Sequence, residues 1–401
     1  MSVLVRSVVG PLAILTGFLA ESAAAQQWPS PGQQVIHNAS RGDRQLTTGS
    51  IPPMTVRSAT AAAIQRPVAA APAPRPAAPI PTRQAEPAIP AMDLFFLTNA
   101  ARYTGIPFRS GKQDPAVLRL QIMLDRVHAS PGAIDGYWGG NVQKAVKAAR
   151  EMYGLPVRET VDEQLWTVLE QADPSPPLKR YVLTAADVAG PFVPQIPTDY
   201  AELAQLERIA YRNPQEALGE KFHMDEKLLR QLNPNARFVA GEEILVTNVG
   251  KPSTAKISYL IADKERRQLL GYGADARLLV AYPATIGSTS TPSPVGIHAV
   301  KAIAVDAEYW YRPQVNFQQG QNAKPLRLAP GPNNPIGAVW IGLDRPTFGI
   351  HGTPEPSRID KTNSHGCIRL TNWDVLELVK LVKPGVTVEF YQPSHMVGSA
   401  N

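Results

Sequence analysis

The chain of 401 residues has a single cysteine, Cys367, and only seven histidines. One thiol excludes an intrachain disulfide framework. In an exported chain, an unpaired cysteine points to a reactive thiol or an intermolecular bridge. Long apolar runs are also scarce: the stretch from Val8 to Ala20 falls short of the ~20 residues needed to span a bilayer, and no later stretch has that length. Basic residues never gather into an arm of the kind that binds nucleic acid, so no nucleic-acid partner is expected. The net charge of +6 is mild; residues 251–401 hold 16 Lys or Arg against 11 Asp or Glu, which suits an acidic polymer or an envelope surface.

The first residues, MSVLVRSVVGPLAILTGFLAESAAAQQ, combine one early positive charge at Arg6, the apolar run and the small residues Ala23, Ala24 and Ala25. That order predicts a signal peptide over 1–25, with Gln26 opening a mature protein exported to the periplasm or cell envelope and not spanning the membrane once processed. No cysteine follows the apolar run, which excludes lipid attachment there. At about 150 residues per domain the length predicts two or three domains. Residues 26–91 end in RPVAAAPAPRPAAPIPTRQAEPAIP, a Pro/Ala alternation that cannot bury a core and is expected to be a disordered tether.

From 92 to 173 the period turns helical. Asp114 and Pro115 supply an N-cap and first helical position, with Val117, Leu120 and Leu124 on one face; a second helix is expected from Asn141 and a third around Leu165. Between the first two lies AIDGYWGGNVQKAV, and this small α-helical domain resembles the peptidoglycan-binding domain of wall enzymes at Asp135, Gly136, Trp138, Gly139, Gly154, Leu155 and Trp166. Residues 174–250 are read as a proline-rich linker followed by two short helices and a strand, ALGEKFHMDEKLLRQLNP…AGEEILV, similar to a βααβ LysM module whose leading strand is not evident. From 251 to 392 the period becomes two, with short β-branched runs and one helix from Asn372 to Val382, predicting a mainly-β domain; 393–401 is a tail.

Within that last domain, FGIHGTPEPSRIDKTNSHGCIRLTNWDVLELV brings His351 and Cys367 sixteen residues apart, with His365 and Gly366 directly before the sulfur. A thiol attacks carbonyl carbon as thiolate, and a neighbouring imidazole can take its proton to form a thiolate–imidazolium pair that would lower the thiol pKa. The backbone N–H groups of Gly366 and Cys367 are placed to converge on an oxyanion. The chain resembles the L,D-transpeptidases with a YkuD-type catalytic domain: His351-Gly352, twelve residues, then Ser364-His365-Gly366-Cys367-Ile368-Arg369. TIGSTSTPSPVG and APGPNNPIGAVWIGL are similar to family segments that precede the site.

The resemblance implies a β-sandwich with one helix, Cys367 as nucleophile, His351 as base and the Gly352 carbonyl orienting the imidazole. It leaves His365 open between an oxyanion N–H, a substrate contact and a share of the base role. Arg369 is expected either to pair with a diaminopimelate carboxylate or to form a structural salt bridge. Ser364 is placed at the substrate or in a local hydrogen bond, and Asn334 either lines the cleft or serves as a turn residue. The implied reaction acts on peptidoglycan stem peptides, loses D-alanine and passes the acyl group to an amine on a stem peptide, an envelope protein or a D-amino acid; with water the enzyme is a carboxypeptidase. Peptidoglycan glycan strands are the expected partners of the accessory regions, and a wall-binding scaffold without catalysis is the alternative. No cofactor or metal is expected. A zinc site of His351, His365 and Cys367 would consume the nucleophile as a ligand and has no acidic residue at a supporting spacing.

Overall fold

Asp114 accepts a hydrogen bond from the Ala116 amide at 2.8 Å, and Pro115 follows at the first helical position, so the cap read in the sequence starts a helix there. The fold that follows is taken from a computed structural model that describes residues 88–288, 291–315, 317–361 and 366–392. The expected signal peptide, the tether as far as residue 87 and the tail from 393 lie outside the described residues, as do Ser364 and His365.

Four helices come first: α1 (Ala91–Ala100), α2 (Pro115–Arg126), α3 (Gly140–Met152) and α4 (Glu163–Ala172). The tether was expected to run to residue 91, but α1 already begins there, with Ile89 packed against buried residues. Gly136 adopts φ +80° in the turn between α2 and α3, and the Gln121 side-chain oxygen accepts from its amide at 2.7 Å, which fixes the turn against α2.

The proline-rich linker expected to open residues 174–250 contains a strand. Leu178–Val182 forms β1, which pairs antiparallel along its whole length with β2 (Glu243–Thr247). Between them run α5 (Tyr200–Leu203), α6 (Pro214–Lys221) and α7 (Glu226–Leu232). A strand is hard to read in LKRYV because proline clusters flank it and only Leu178 of its five residues is fully buried.

The mainly-β region contains β3 (Tyr259–Asp263), β4 (Gln268–Tyr272), β5 (Leu278–Pro283), β6 (Thr285–Ile286), β7 (Gly296–Val305), β8 (Tyr309–Tyr311), β9 (Leu326–Leu328), β10 (Val339–Leu343), β11 (Gly349–His351), β12 (Ile368–Arg369) and β13 (Thr387–Tyr391), with α8 (Asn372–Leu381) before the last strand. Nine of these strands form one sheet in the order β5-β4-β3-β13-β7-β10-β11-β12-β6. Its two edge strands, β5 and β6, are consecutive in sequence and separated only by Ala284, so the sheet must curl until its edges meet. The two layers expected of a sandwich thus arise by rolling one sheet.

The inner face buries Leu260, Val280, Val339, Ile341, Ile350, Ile368 and Val388 together with Val375, Leu378 and Leu381 of α8. The outer face of β4 and β5 is covered too. Leu270, Leu278 and Ala281 share a core with Leu120, Leu124, Ala145 and Leu169 of the helical region, so that region and the sheet are stabilised by the same burial. A second contact joins the middle segment to the β domain: Leu203 and Ile209 pack with Leu328 and Ala329 beside the β8–β9 hairpin.

Candidate active site

The site is set by one parallel ladder. β11 and β12 run side by side with Ile350 opposite Ile368 and His351 opposite Arg369. Side chains alternate faces along a strand, and Ile350 and Ile368 are in the rolled core. His351 and Arg369 therefore point to the outer face, and Cys367, just ahead of β12, lies close enough to Arg369 to feel its charge. The register extends outward, with Trp340 of β10 opposite His351 and Thr285 of β6 opposite Arg369.

Glycines open the space around the sulfur. Gly366 holds φ +102°, a conformation side chains rarely adopt, and a Cβ there would meet Phe348 at 2.7 Å. Gly349 lets the Trp340 indole lie across β11, since a Cβ would sit 2.7 Å from its ring, and that indole stacks on the His351 imidazole with centroids 5.7 Å apart. Trp340 and Gly349 were not singled out in the sequence; the signal is the W-x-G of β10, whose register with GIH becomes informative only once the two strands are paired.

His351 is buried, and its Nδ1 lies 2.7 Å from the Gly352 carbonyl oxygen. A carbonyl can only accept, so Nδ1 carries the proton and Nε2 is left with its lone pair. Burial, and then the positive charge of Arg369, push the imidazole pKa down to about 3, with the Gly352 and Ile336 carbonyls offsetting part of the shift. Cys367 is half-buried; its thiol lies 3.6 Å from the Thr347 carbonyl oxygen, and burial pushes its pKa up to about 11 against the opposing effects of the Gly349 amide and Arg369. These surroundings oppose the resting thiolate–imidazolium pair expected from the sequence, because burial disfavours the charged form of each group.

Arg369 is partly buried beside these groups, and its Nε has no hydrogen-bond partner among the described residues. The structural salt bridge considered for it is not formed with any described residue. Tyr200 of α5 contacts the edge of this region: its ring meets Tyr309 at 6.2 Å and Tyr311 at 5.1 Å, both edge-on, and its hydroxyl proton is held more tightly, with a pKa pushed up to about 12 by burial.

The expectation that Asn334 meets substrate is corrected. It is fully buried, its amide donates to the Ala329 carbonyl at 2.7 Å and its oxygen accepts from the Ile336 amide at 3.0 Å, so both ends of the side chain shape the 329–338 loop. Ser364 and His365 lie outside the described residues. Among the described residues no cluster of three metal-ligating side chains occurs, and no helix is long and apolar enough to cross a membrane.

Behind the imidazole stands Asn372, the first residue of α8. Its side-chain oxygen accepts from the Ala338 amide at 2.9 Å, and it fits only because Gly352 and Gly337 have no Cβ; one would approach that oxygen to 2.1 and 2.2 Å.

Comparison with known proteins follows this geometry. The family model of the YkuD L,D-transpeptidase catalytic domain matches residues 257–390, and that of a peptidoglycan-binding domain matches residues 113–169, covering α2 to α4. The chain is 32% identical over 176 residues to an L,D-transpeptidase YkuD of Bacillus licheniformis, covering 43% of this chain and 90% of the relative. It is 30% identical over 174 residues to its counterpart in Bacillus subtilis, again covering 43% and 90%. A solved L,D-transpeptidase from Xylanimonas cellulosilytica aligns at 16% identity over 73% of this chain and all of that one, with a TM-score of 0.31. With 90% of each of two such relatives covered at 30% identity or more, the chain belongs to the YkuD-type family and is an L,D-transpeptidase bearing a peptidoglycan-binding domain.

Proposed function

We propose that the protein is a periplasmic or envelope enzyme that cross-links or modifies peptidoglycan through a thioester on Cys367. The reading is supported by the pairing of His351 with Arg369 across β11 and β12, with Cys367 immediately ahead of β12 and the imidazole fixed as the tautomer that can accept a proton.

As Sγ attacks the carbonyl of an L-centre in a stem peptide, Nε2 of His351 takes the thiol proton. A neutral pair is suited to this, because the proton moves only when carbon–sulfur bond formation makes the transfer favourable. Backbone amides beside Cys367 and Gly366 meet the developing oxyanion; one such donor typically contributes about 3 kcal/mol to the transition state. The tetrahedral species collapses by breaking the carbon–nitrogen bond, and the departing D-alanine amine takes the proton from His351. An acceptor amine then attacks the thioester, gives its proton to Nε2 and releases the thiol. Arg369, a planar fork next to the nucleophile whose Nε has no hydrogen-bond partner among the described residues, receives the substrate's carboxylate. The helical domain holds glycan or peptide of the same polymer near the cleft, and the β1–β2 unit with α6 and α7 supports it.

Incubation of the protein, without its signal peptide, with a carbapenem followed by intact mass measurement tests the nucleophile. A covalent adduct on the wild type and none on Cys367→Ala is the expected result, and an adduct that persists in the variant contradicts the assignment. Mass analysis of digested sacculi after incubation with enzyme identifies the acceptor.

A further inference from the structure

We propose that Glu220, a carboxyl group contributed by α6 outside the catalytic domain, is a positioning residue for the His351 base, acting through Asn372. The inference rests on the assignment of His351 as base.

Glu220 is nine-tenths buried and sits where a helix of the middle segment meets the N-terminus of α8. Burial pushes its pKa up to about 8, against hydrogen bonds from Asn372 and Tyr211 that favour the charge. A buried carboxyl group is destabilising unless its oxygens are satisfied. Here they are: the Asn372 amide donates to both oxygens at 2.9 and 3.1 Å, and the Tyr211 hydroxyl donates to Oε2 at 2.9 Å.

Those bonds fix which way the Asn372 amide faces. With its nitrogen held by Glu220 and by the Pro332 carbonyl at 3.0 Å, its oxygen must point at the Ala338 amide and against Gly352 and Gly337. Gly352 is the residue whose carbonyl receives the Nδ1 proton of His351. The chain of contacts from α6 to the imidazole is thus Glu220 to Asn372, Asn372 against Gly352, and Gly352 to His351, with no side chain of the catalytic domain other than Asn372 between them. Without Glu220 the Pro332 carbonyl alone holds the amide nitrogen, which slackens the Asn372 side chain and with it the Gly352 peptide it packs against. A misplacement of about 1 Å at a catalytic group can reduce rate on the order of 100-fold. The residues matched by the catalytic-domain family begin at 257, after α6, so the base is aligned by an element that the accessory segment supplies.

The test compares full mature enzyme carrying Glu220→Ala, Glu220→Gln, Tyr211→Phe or Leu228→Ala, each shown to be folded by circular dichroism at the assay temperature. Leu228 is buried in the same segment but lies outside the relay, so its variant reports the effect of destabilisation alone. Glu220→Ala is expected to lower kcat of acyl transfer by 10- to 100-fold with KM changed less than twofold. Glu220→Gln, which retains an acceptor for Asn372, should restore kcat to within about fivefold of wild type, and Leu228→Ala should leave kcat within twofold. Should Glu220→Ala fail to fold, Tyr211→Phe decides, with an expected three- to tenfold loss of kcat at constant KM. Wild-type kcat in Glu220→Ala, or in Tyr211→Phe where that variant decides, overturns the relay, as does an equal loss in Leu228→Ala. Cys367→Ala and His351→Gln run in parallel: activity surviving in either of these overturns the underlying assignment of the site instead.

Discussion

Arg369 stands directly opposite His351 across the parallel pair β11/β12, so a permanent positive charge faces the imidazole from the neighbouring strand. That charge and burial act in the same direction, keeping the ring neutral far below neutral pH. On the thiol the two oppose each other, and burial prevails. The site therefore keeps a base that is ready over a wide pH range and a nucleophile that is ionised only during attack.

Replacing Arg369 by Gln should move the acid limb of the pH profile. Removing the positive charge stabilises the imidazolium, so the pKa of His351 rises from about 3 toward its ordinary value, while the burial contribution remains. An imidazolium has no lone pair with which to take the thiol proton, so the variant begins to lose rate at a higher pH than the wild type does. Carbapenem acylation rates measured from pH 4 to 8 check this. A profile that keeps its shape and drops uniformly would mean that Arg369 serves substrate binding alone.

Gly352→Ala should be damaging although alanine is the smallest change available. The added methyl would meet the Asn372 oxygen at 2.1 Å, in backbone and side chain that are both buried. Overpacking of this kind costs about 1–3 kcal/mol and forces neighbours to move. The peptide that moves is the one holding Nδ1, so kcat should fall by at least tenfold while the melting temperature drops by several degrees. Unchanged kcat in a folded variant would show that the imidazole is held by something else.

The extent to which sequence revealed this architecture follows the length of its elements. Helix α2 was legible because cap, proline and apolar spacing agree over twelve residues, and Asp114 does cap it. The HG and SHGC segments were legible as a pair. Their mutual placement was not, because it depends on β12, a strand of two residues that cannot show a period, and on β6, which is equally short. Strand β1 lay inside what composition marks as linker. The identity of the residues behind the imidazole was illegible for a different reason: Glu220 and Asn372 are 152 positions apart, and each alone reads as an ordinary helical surface or cap residue. The resting charge state is equally hard to read, since spacing shows which groups are close but not how little water surrounds them.

The helical domain and the rolled sheet should unfold together. Leu270, Leu278 and Ala281 of the sheet share one core with α2, α3 and α4, and ion pairing between Lys144 and Asp360 ties α3 to the loop ahead of Cys367. Calorimetry of residues 88–392 should give a single transition. Leu120→Ala, a fully buried change in α2, should lower that transition by the equivalent of about 2–5 kcal/mol and take the catalytic activity with it on heating. Two separated transitions, with activity following only the upper one, would show independent domains.

Asp374 makes stability itself depend on pH. It lies in the first turn of α8, buried, with the Ser130 hydroxyl donating to it at 3.2 Å. Burial raises its pKa to about 7, Asp125 from α2 adds to the rise, and Thr371, Ser130 and the positive charge that His223 carries when protonated oppose it. Folded Asp374 thus holds its proton more tightly than the unfolded chain does. Its favourable contribution is complete below the ordinary carboxylate pKa and is lost as pH climbs from about 4 through about 7. Asp374→Asn keeps an acceptor for Ser130 and cannot ionise. The variant should therefore gain stability relative to wild type between pH 5 and pH 8, with a ceiling of a few kcal/mol at about 1.4 kcal/mol per pKa unit. His223, stacked on Trp373 with ring centroids 5.3 Å apart and held 3.0 Å from Asp125, also has a raised pKa and loses its charge in part of the same window. Because Asp374 itself helps to raise the His223 pKa, the pair is compared in a His223→Gln background, where the difference between urea midpoints at the two pH values isolates the carboxyl group. A difference that is the same at pH 5 and pH 8 would mean that Asp374 is ionised, or neutral, throughout.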